Sequence, residues 1–160
     1  MIHTPEIGIR FADKDDSEML VKLTKALLNE TRAFGGHEVN QDETFWMRFR
    51  EALTEKVKEP DRLFLLACVN GKTVAYLEGH VVGVHETFVP KRSFHVNGVY
   101  VDPENRRLHI AEMLVRKALQ WAKEHECDEA DLNVLVGNNA KVLYENAGFK
   151  AFQHEMRLKL

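Results

Sequence analysis

Two stretches of the chain set chemically capable side chains beside backbone groups that need partners. The first, VYVDPENRRLHIAE (99–112), runs from an apolar strand through a proline turn into an amphipathic helix. The first N–H groups of a helix have no intrahelical acceptor, and the aligned peptide dipoles leave partial positive charge there, so such a corner can seat a phosphate. Arg106 and Arg107 bring two guanidinium groups to the same corner. The plainer alternative is solvated surface charge, with Glu112 and Arg116 forming an i,i+4 pair. The second stretch, GNNAKVLYENAGF (137–149), carries Asn138 and Tyr144. Ala140, Leu143, Tyr144 and Ala147 follow helical spacing, which by itself describes a packed aromatic; a phenol at a site can instead donate a proton.

Three further residues have proton-transfer chemistry. His95 lies on the strand that leads to Val101, and an unperturbed imidazole, with a pKa of roughly 6.5, suits proton abstraction near neutrality. Glu78 and His80 share one face of the preceding strand with Tyr76. A structural or surface role stays open for all three, as does a water relay. His37, His80, His85, His95 and His109 fit no compact ligand spacing and there is no Cys-x-x-Cys, so no metal is expected. Cys68 and Cys127 are expected to be buried free thiols, with the cytoplasm the default location.

These residues must be positioned by alternating elements. IGIRFA (7–12) reads as a strand. Asp15 or Asp16 can start a helix striped by Leu20, Leu23 and Leu27, which ends at the glycines of AFGG (33–36). Asn40 with Glu43 resembles a capping box for a second helix, with Phe45, Phe49, Ala52 and Leu53 inward, ending before Pro60. LFLLACV (63–69) and TVAYLEGHVVGV (73–84) flank Asn70-Gly71, a strong hairpin signal. SFHVNGVYV (93–101) is a strand, 107–125 a long helix, DEADLNVLV (128–136) a strand, 139–147 a short helix and FKAFQHEMRLKL (149–160) a last strand. The order β-α-α-β-β-β-α-β-α-β predicts an α/β fold, a mixed, mostly antiparallel sheet of about six strands flanked by four helices, in one domain spanning 1–160.

In this setting the chain resembles the Gcn5-related N-acetyltransferase (GNAT) superfamily. The family's diphosphate signature, Gln/Arg-x-x-Gly-x-Gly/Ala after a strand ending in Val-Asp-Pro, is matched by Arg106-Arg107-Leu108-His109-Ile110-Ala111 after Val101-Asp102-Pro103. The family's Asn-x-Ala-x-x-Leu-Tyr-Glu-x-x-Gly-Phe segment is matched by 138–149, and IRFADKDD and VNGKTVAYLEG extend the likeness upstream. The resemblance implies an acetyl-CoA-dependent N-acetyltransferase acting by direct attack of a primary amine, on a small molecule or a protein. Pantetheine would lie along Val99, Tyr100 and Val101, where the strand splays from its parallel neighbour. Backbone N–H groups of Arg107, Leu108, His109, Ile110, Ala111 and Glu112 would hold the diphosphate with help from Arg106, and Asn138 would contact the coenzyme or cap its helix. A backbone N–H near Tyr100 would polarise the thioester carbonyl. Tyr144 would be the general acid, and His95 lies near the point where some members carry a catalytic glutamate.

His109 departs from the pattern, standing where the family has glycine. A histidine is compatible if the residue is helical, since only positive φ demands glycine. Its ring could meet a phosphate, turn aside, or weaken coenzyme A binding. The last option sustains a rival reading, a non-catalytic acyl-CoA-sensing or partner-binding domain with a degenerate diphosphate site. The acceptor pocket is expected between 31–50 and 84–93, which hold His37, Glu38, Phe45, Trp46, Glu86 and Phe88; carboxylates there favour a cation and aromatics can stack on it.

The chain as a whole excludes some partners. Its 160 residues carry a net charge of −3, giving no general basic field for nucleic acid. The longest apolar run, 63–69, cannot span a bilayer, and MIHTPEIGIR has no leader-like apolar region. A homodimer is compatible with everything read here.

Overall fold

The computed structural model describes residues 4–160; the first three residues of the MIHTPEIGIR segment lie outside the described residues. Five strands form one sheet in the order β1 (Ile7–Phe11), β2 (Arg62–Val69), β3 (Lys72–Gly83), β4 (Arg92–Val101) and β5 (Glu129–Leu132). The first four are antiparallel neighbours, and β5 runs parallel to β4. The β2–β3 hairpin turns on Asn70 at φ 49° and Gly71 at φ 79°, the left-handed pair that its sequence demands.

Helices cover both faces. Against one, α1 (Ser17–Thr31) and α2 (Glu43–Lys56) bury Leu20, Leu23 and Leu53 over Phe64, Leu66 and Tyr76. Against the other, α3 (Ile110–Glu124) buries Ile110, Leu114, Ala118 and Trp121 over Leu65, Leu77 and Phe94. A short α4 (Ala140–Asn146) leans on this second core through Leu143 and Tyr144. Cys68 and Cys127 are half-buried free thiols.

Four local expectations are corrected. Residues 150–160 form no strand; they are exposed throughout, so the sheet has five strands. At α2 the cap is Asp42, whose carboxylate accepts from Thr44 N at 2.9 Å, while Asn40 turns the loop by accepting from Asp42 N. The inward aromatic of α2 is Trp46, not Phe45: Trp46 is buried and donates from Nε1 to Asn40 O, whereas Phe45 is exposed. Asp15 or Asp16 is expected to cap the first helix; Asp16 does take the N-cap position of α1 but makes no side-chain capping bond, and the capping carboxylate of the preceding turn is Asp13. Asp16 meets Arg10 in a bidentate pair at 2.6 and 2.7 Å, which lowers its pKa below the carboxylate range.

Two irregularities in β4 shape the site. Glu78 pairs with Gly98 and Gly79 with Val96, so Asn97 is an extra residue, a bulge that bends the strand. Gly98 faces α1 at close range: a Cβ there would lie 2.6 Å from Leu27 Cδ2 and 3.2 Å from the Tyr76 hydroxyl. A side chain at Gly98 would have to displace the end of Leu27 from the bulge.

Candidate active site

The bulge is where β4 loses its outer neighbour. β5 pairs with Ser93 through Val96 and stops, leaving Asn97 through Val101 without a partner on that edge among the described residues. Unpaired main-chain groups need partners, so this edge is available to an extended ligand. The gap includes the Val99, Tyr100 and Val101 segment singled out in the sequence.

From Val101 the chain enters a 3-10 turn, Pro103–Leu108, and only then the α-helix. The helix expected from 107 therefore starts at Ile110. Its N-cap, His109, makes no side-chain capping bond, and the first intrahelical bond comes from Met113 N. The amides of Ile110, Ala111 and Glu112 are accordingly free at the positive end of the dipole. His109 itself has φ 56° and ψ 22°. The corner thus needs the left-handed conformation that glycine tolerates, and the expectation that His109 sits in helical geometry is corrected. A bulky residue held there costs on the order of 1 kcal/mol. Its ring is 75% exposed and donates from Nδ1 to Glu112 Oε1 at 3.1 Å.

The two arginines have different surroundings. Arg106 donates to Val101 O at 3.0 Å and to Glu30 at 2.7 Å, and it lies over the Tyr100 ring, so it ties β4 to α1. Arg107 is exposed and has no ion pair among the described residues. Leu108 packs on the α3 core. Between α3 and α4 lies a cleft of about 240 Å³ lined by Glu112, Arg116, Leu119, Leu143, Asn146 and Ala147. Of these, only Glu112 was singled out from the sequence as a binding residue; the others meet only through the facing of two helices. Asn138 lies one residue before Asn139, the N-cap of α4, and its Oδ1 accepts from Ala140 N at 2.9 Å.

Tyr144 stands on α4 edge-to-face with Phe149, and burial pushes its pKa above the ordinary phenol value. Tyr76, which lies beside Gly98, has its own pKa raised by burial first, with the charges of Glu78 and Tyr144 acting in the same direction. Glu78 is half-buried, and desolvation raises its pKa against the opposing pull of Lys56, Arg62 and His80.

His95 and His80 are cross-strand partners, with ring centroids 5.7 Å apart. The His80 Nδ1 bonds the bulged Asn97 Oδ1 at 2.7 Å. His95 Nδ1 donates to Asp131 on β5, whose other oxygen accepts from Ser93 Oγ. Asp131 is a residue that sequence reasoning missed. It comes from a strand 36 positions away, and only parallel pairing of β4 with β5 brings it opposite His95. Of the residues expected at the acceptor pocket, Glu38 pairs with Arg32, Trp46 is buried, and Phe88 is exposed in the β3–β4 loop. Trp46 also edges a second cleft of about 200 Å³, lined by Lys25, Asn29, Asn40 and Glu43 among others.

The acetyltransferase (GNAT) family model matches residues 23–149. The chain belongs to this family. It is an acyltransferase. The aminoglycoside N(6')-acetyltransferase type 1 of Acinetobacter haemolyticus is 29% identical over 103 residues, covering 62% of this chain and 70% of that protein. Among solved structures, AAC(6')-Iy in complex with a bisubstrate analog, CoA-S-monomethyl-acetylneamine, superposes with a TM-score of 0.76 at 15% identity, covering 97% of this chain and 98% of that one. A predicted acetyltransferase from Clostridium acetobutylicum with acetyl-CoA gives 0.76 at 19% identity, with 96% of each chain covered. These similarities establish the GNAT fold, with five strands here where about six were expected.

Proposed function

We propose that this acyltransferase moves the acetyl group of acetyl-CoA onto a primary amine of a cationic small molecule by direct attack. The observation that carries the reading is the opening between β4 and β5, which leads from an unpaired strand edge straight to the free amides of α3. The residues fit the donor. Ile110, Ala111 and Glu112 offer N–H groups to a diphosphate and Arg107 adds an uncommitted cation, while Asn97 to Val101 can bond an extended pantetheine arm. Acetyl-CoA supplies the activated thioester; the chain supplies orientation and proton handling.

An alkylammonium with a pKa of about 10.4 must lose a proton before it attacks. His95 suits this step, because Asp131 holds its Nδ1–H and leaves the Nε2 lone pair as the basic atom. Glu78 is the rival base: desolvation strengthens its grip on a proton, as a general base requires. Tyr144, kept protonated by burial, is the donor to the departing sulfur. An N–H near Tyr100 on the open edge would stabilise the oxyanion. The rival non-catalytic reading depended on His109 crowding the diphosphate seat, and a ring turned out to solvent onto Glu112 gives it no support.

The carboxylates Glu38 and Glu86 in the expected acceptor segments favour a cation, and the aminoglycoside-modifying relatives point the same way. The test is an acetyl-CoA consumption screen against aminoglycosides, polyamines, amino acids and peptides. Saturable thiol release with at least one polyamine or aminoglycoside is expected. Release with none of the four classes would overturn the assignment of acceptor.

A further inference from the structure

The open edge of β4 is closed at its far end by a side chain. Asp102 N donates to Val74 O at 2.8 Å, so residue 102 turns its main-chain groups toward β3. These groups alternate sides along an antiparallel strand, and those of Val99 and Val101 therefore face the open edge. Val101 O is already taken there, by Arg106 Nε at 3.0 Å. An extended ligand finds the Val99 N–H, the Val99 carbonyl and the Val101 N–H, and the ladder stops at Val101.

The group that holds Arg106 in place belongs to α1. Glu30 Oε2 accepts from an Arg106 Nη at 2.7 Å, while the guanidinium lies over the Tyr100 ring. Glu30 stands in the last turn of α1, where the carbonyl end of the helix dipole disfavours a carboxylate. No basic residue shares that turn, and Arg106 is its one ion-pair partner among the described residues. Both side chains are half-exposed, so the pair by itself adds little to stability. An acid set against its own helix dipole for so weak a pair matters through what the pair holds. One turn earlier on the same face, Leu27 reaches the bulge at Gly98. The helix thus meets the open segment near both of its ends.

We propose, on the reading that acetyl-CoA binds this edge, that Glu30 is a positioning residue for the donor. Acting through Arg106, it keeps Val101 O closed and fixes where the extended arm of the coenzyme stops along β4. A guanidinium fastened at two nitrogens is pre-organised, and one fastened only at Nε can turn into solvent. Val101 O would then join the exposed edge, which repeats every two residues, and the arm could slip along it. The amides of Ile110, Ala111 and Glu112 do not depend on Glu30 and keep their hold on the diphosphate.

Amide-resolved NMR titration with coenzyme A tests this on the full chain, on Glu30→Ala, on Arg106→Ala and on the double variant. Glu30→Ala should weaken coenzyme A by about fivefold, the loss expected from one half-exposed charge pair. At saturation its shifts at Val99 and Val101 should shrink, while those at Ile110, Ala111 and Glu112 stay at parent size. Arg106→Ala should weaken binding at least as much, and adding Glu30→Ala to it should change nothing more. Parent-like or tighter binding by Glu30→Ala overturns the proposal, because the carboxylate would then be idle or a competitor for the guanidinium. Equal shrinkage at both sets of amides, or losses that add in the double variant, also overturn it by making Glu30 a general support of the fold. Failure of the underlying donor reading shows separately, as a parent chain whose Val99 and Val101 amides ignore coenzyme A, and it removes the role of Glu30 as well.

Discussion

Tyr144 and His95 divide the proton traffic of the proposed transfer, and each can be read through pH. The base must be unprotonated and the acid protonated, so kcat/KM should rise as pH climbs through the base and fall only above the pKa of Tyr144. Burial raises that pKa above the ordinary phenol value, so the alkaline limb should lie above about 10. Tyr144→Phe should lower kcat by about a hundredfold or more and abolish that limb. Full turnover in the variant would remove the phenol from the mechanism. Local periodicity could not find this role, since Ala140, Leu143, Tyr144 and Ala147 read equally well as packing, and the Tyr144–Phe149 contact is indeed packing. The match to LYENAGF is what singled the residue out. Asp131 carried no such mark, because its partner His95 is supplied by strand pairing rather than by local sequence.

At the scale of elements, the strand–turn–helix junction carries the proposed donor site, and its sequence was legible in part. Val-Asp-Pro and the paired arginines located the turn, and Asn70-Gly71 located the hairpin because its backbone needs two positive φ angles. The roles inside the junction were less legible. Arg106, expected beside the diphosphate, also bonds Glu30, a partner 76 residues away that the local sequence does not name. His109 looked compatible with a helix, yet the 3-10 turn before it forces a left-handed link. Removing that strain gives a clean prediction: His109→Gly should stabilise the fold by about 1 kcal/mol, read as a raised Tm. Coenzyme A affinity should change little, because the ring faces solvent. A lowered Tm would mean that the His109–Glu112 bond outweighs the backbone strain. The phase of α2 was misjudged for a different reason. Phe45, Trp46 and Phe49 are all apolar, so periodicity did not choose between them, and the Trp46 bond to Asn40 O did.

Across the whole molecule, the fold follows from a sheet with two separate cores and from one strand that departs early. α1 and α2 seal one face and α3 the other, so the gap between β4 and β5 becomes the route by which a ligand can reach the sheet from its edge. The alternation of 149–160 reads as a strand, yet 150–160 form none among the described residues, because alternation alone supplies no edge to pair with. The central claim is that one continuous surface, the open edge of β4 and the start of α3, holds acetyl-CoA. An amide-resolved NMR titration with coenzyme A measures this directly. Saturable shifts are expected at Val99, Tyr100 and Val101 and at Ile110, Ala111 and Glu112. Saturable binding that leaves these six amides unmoved, or no binding at all, would contradict the account.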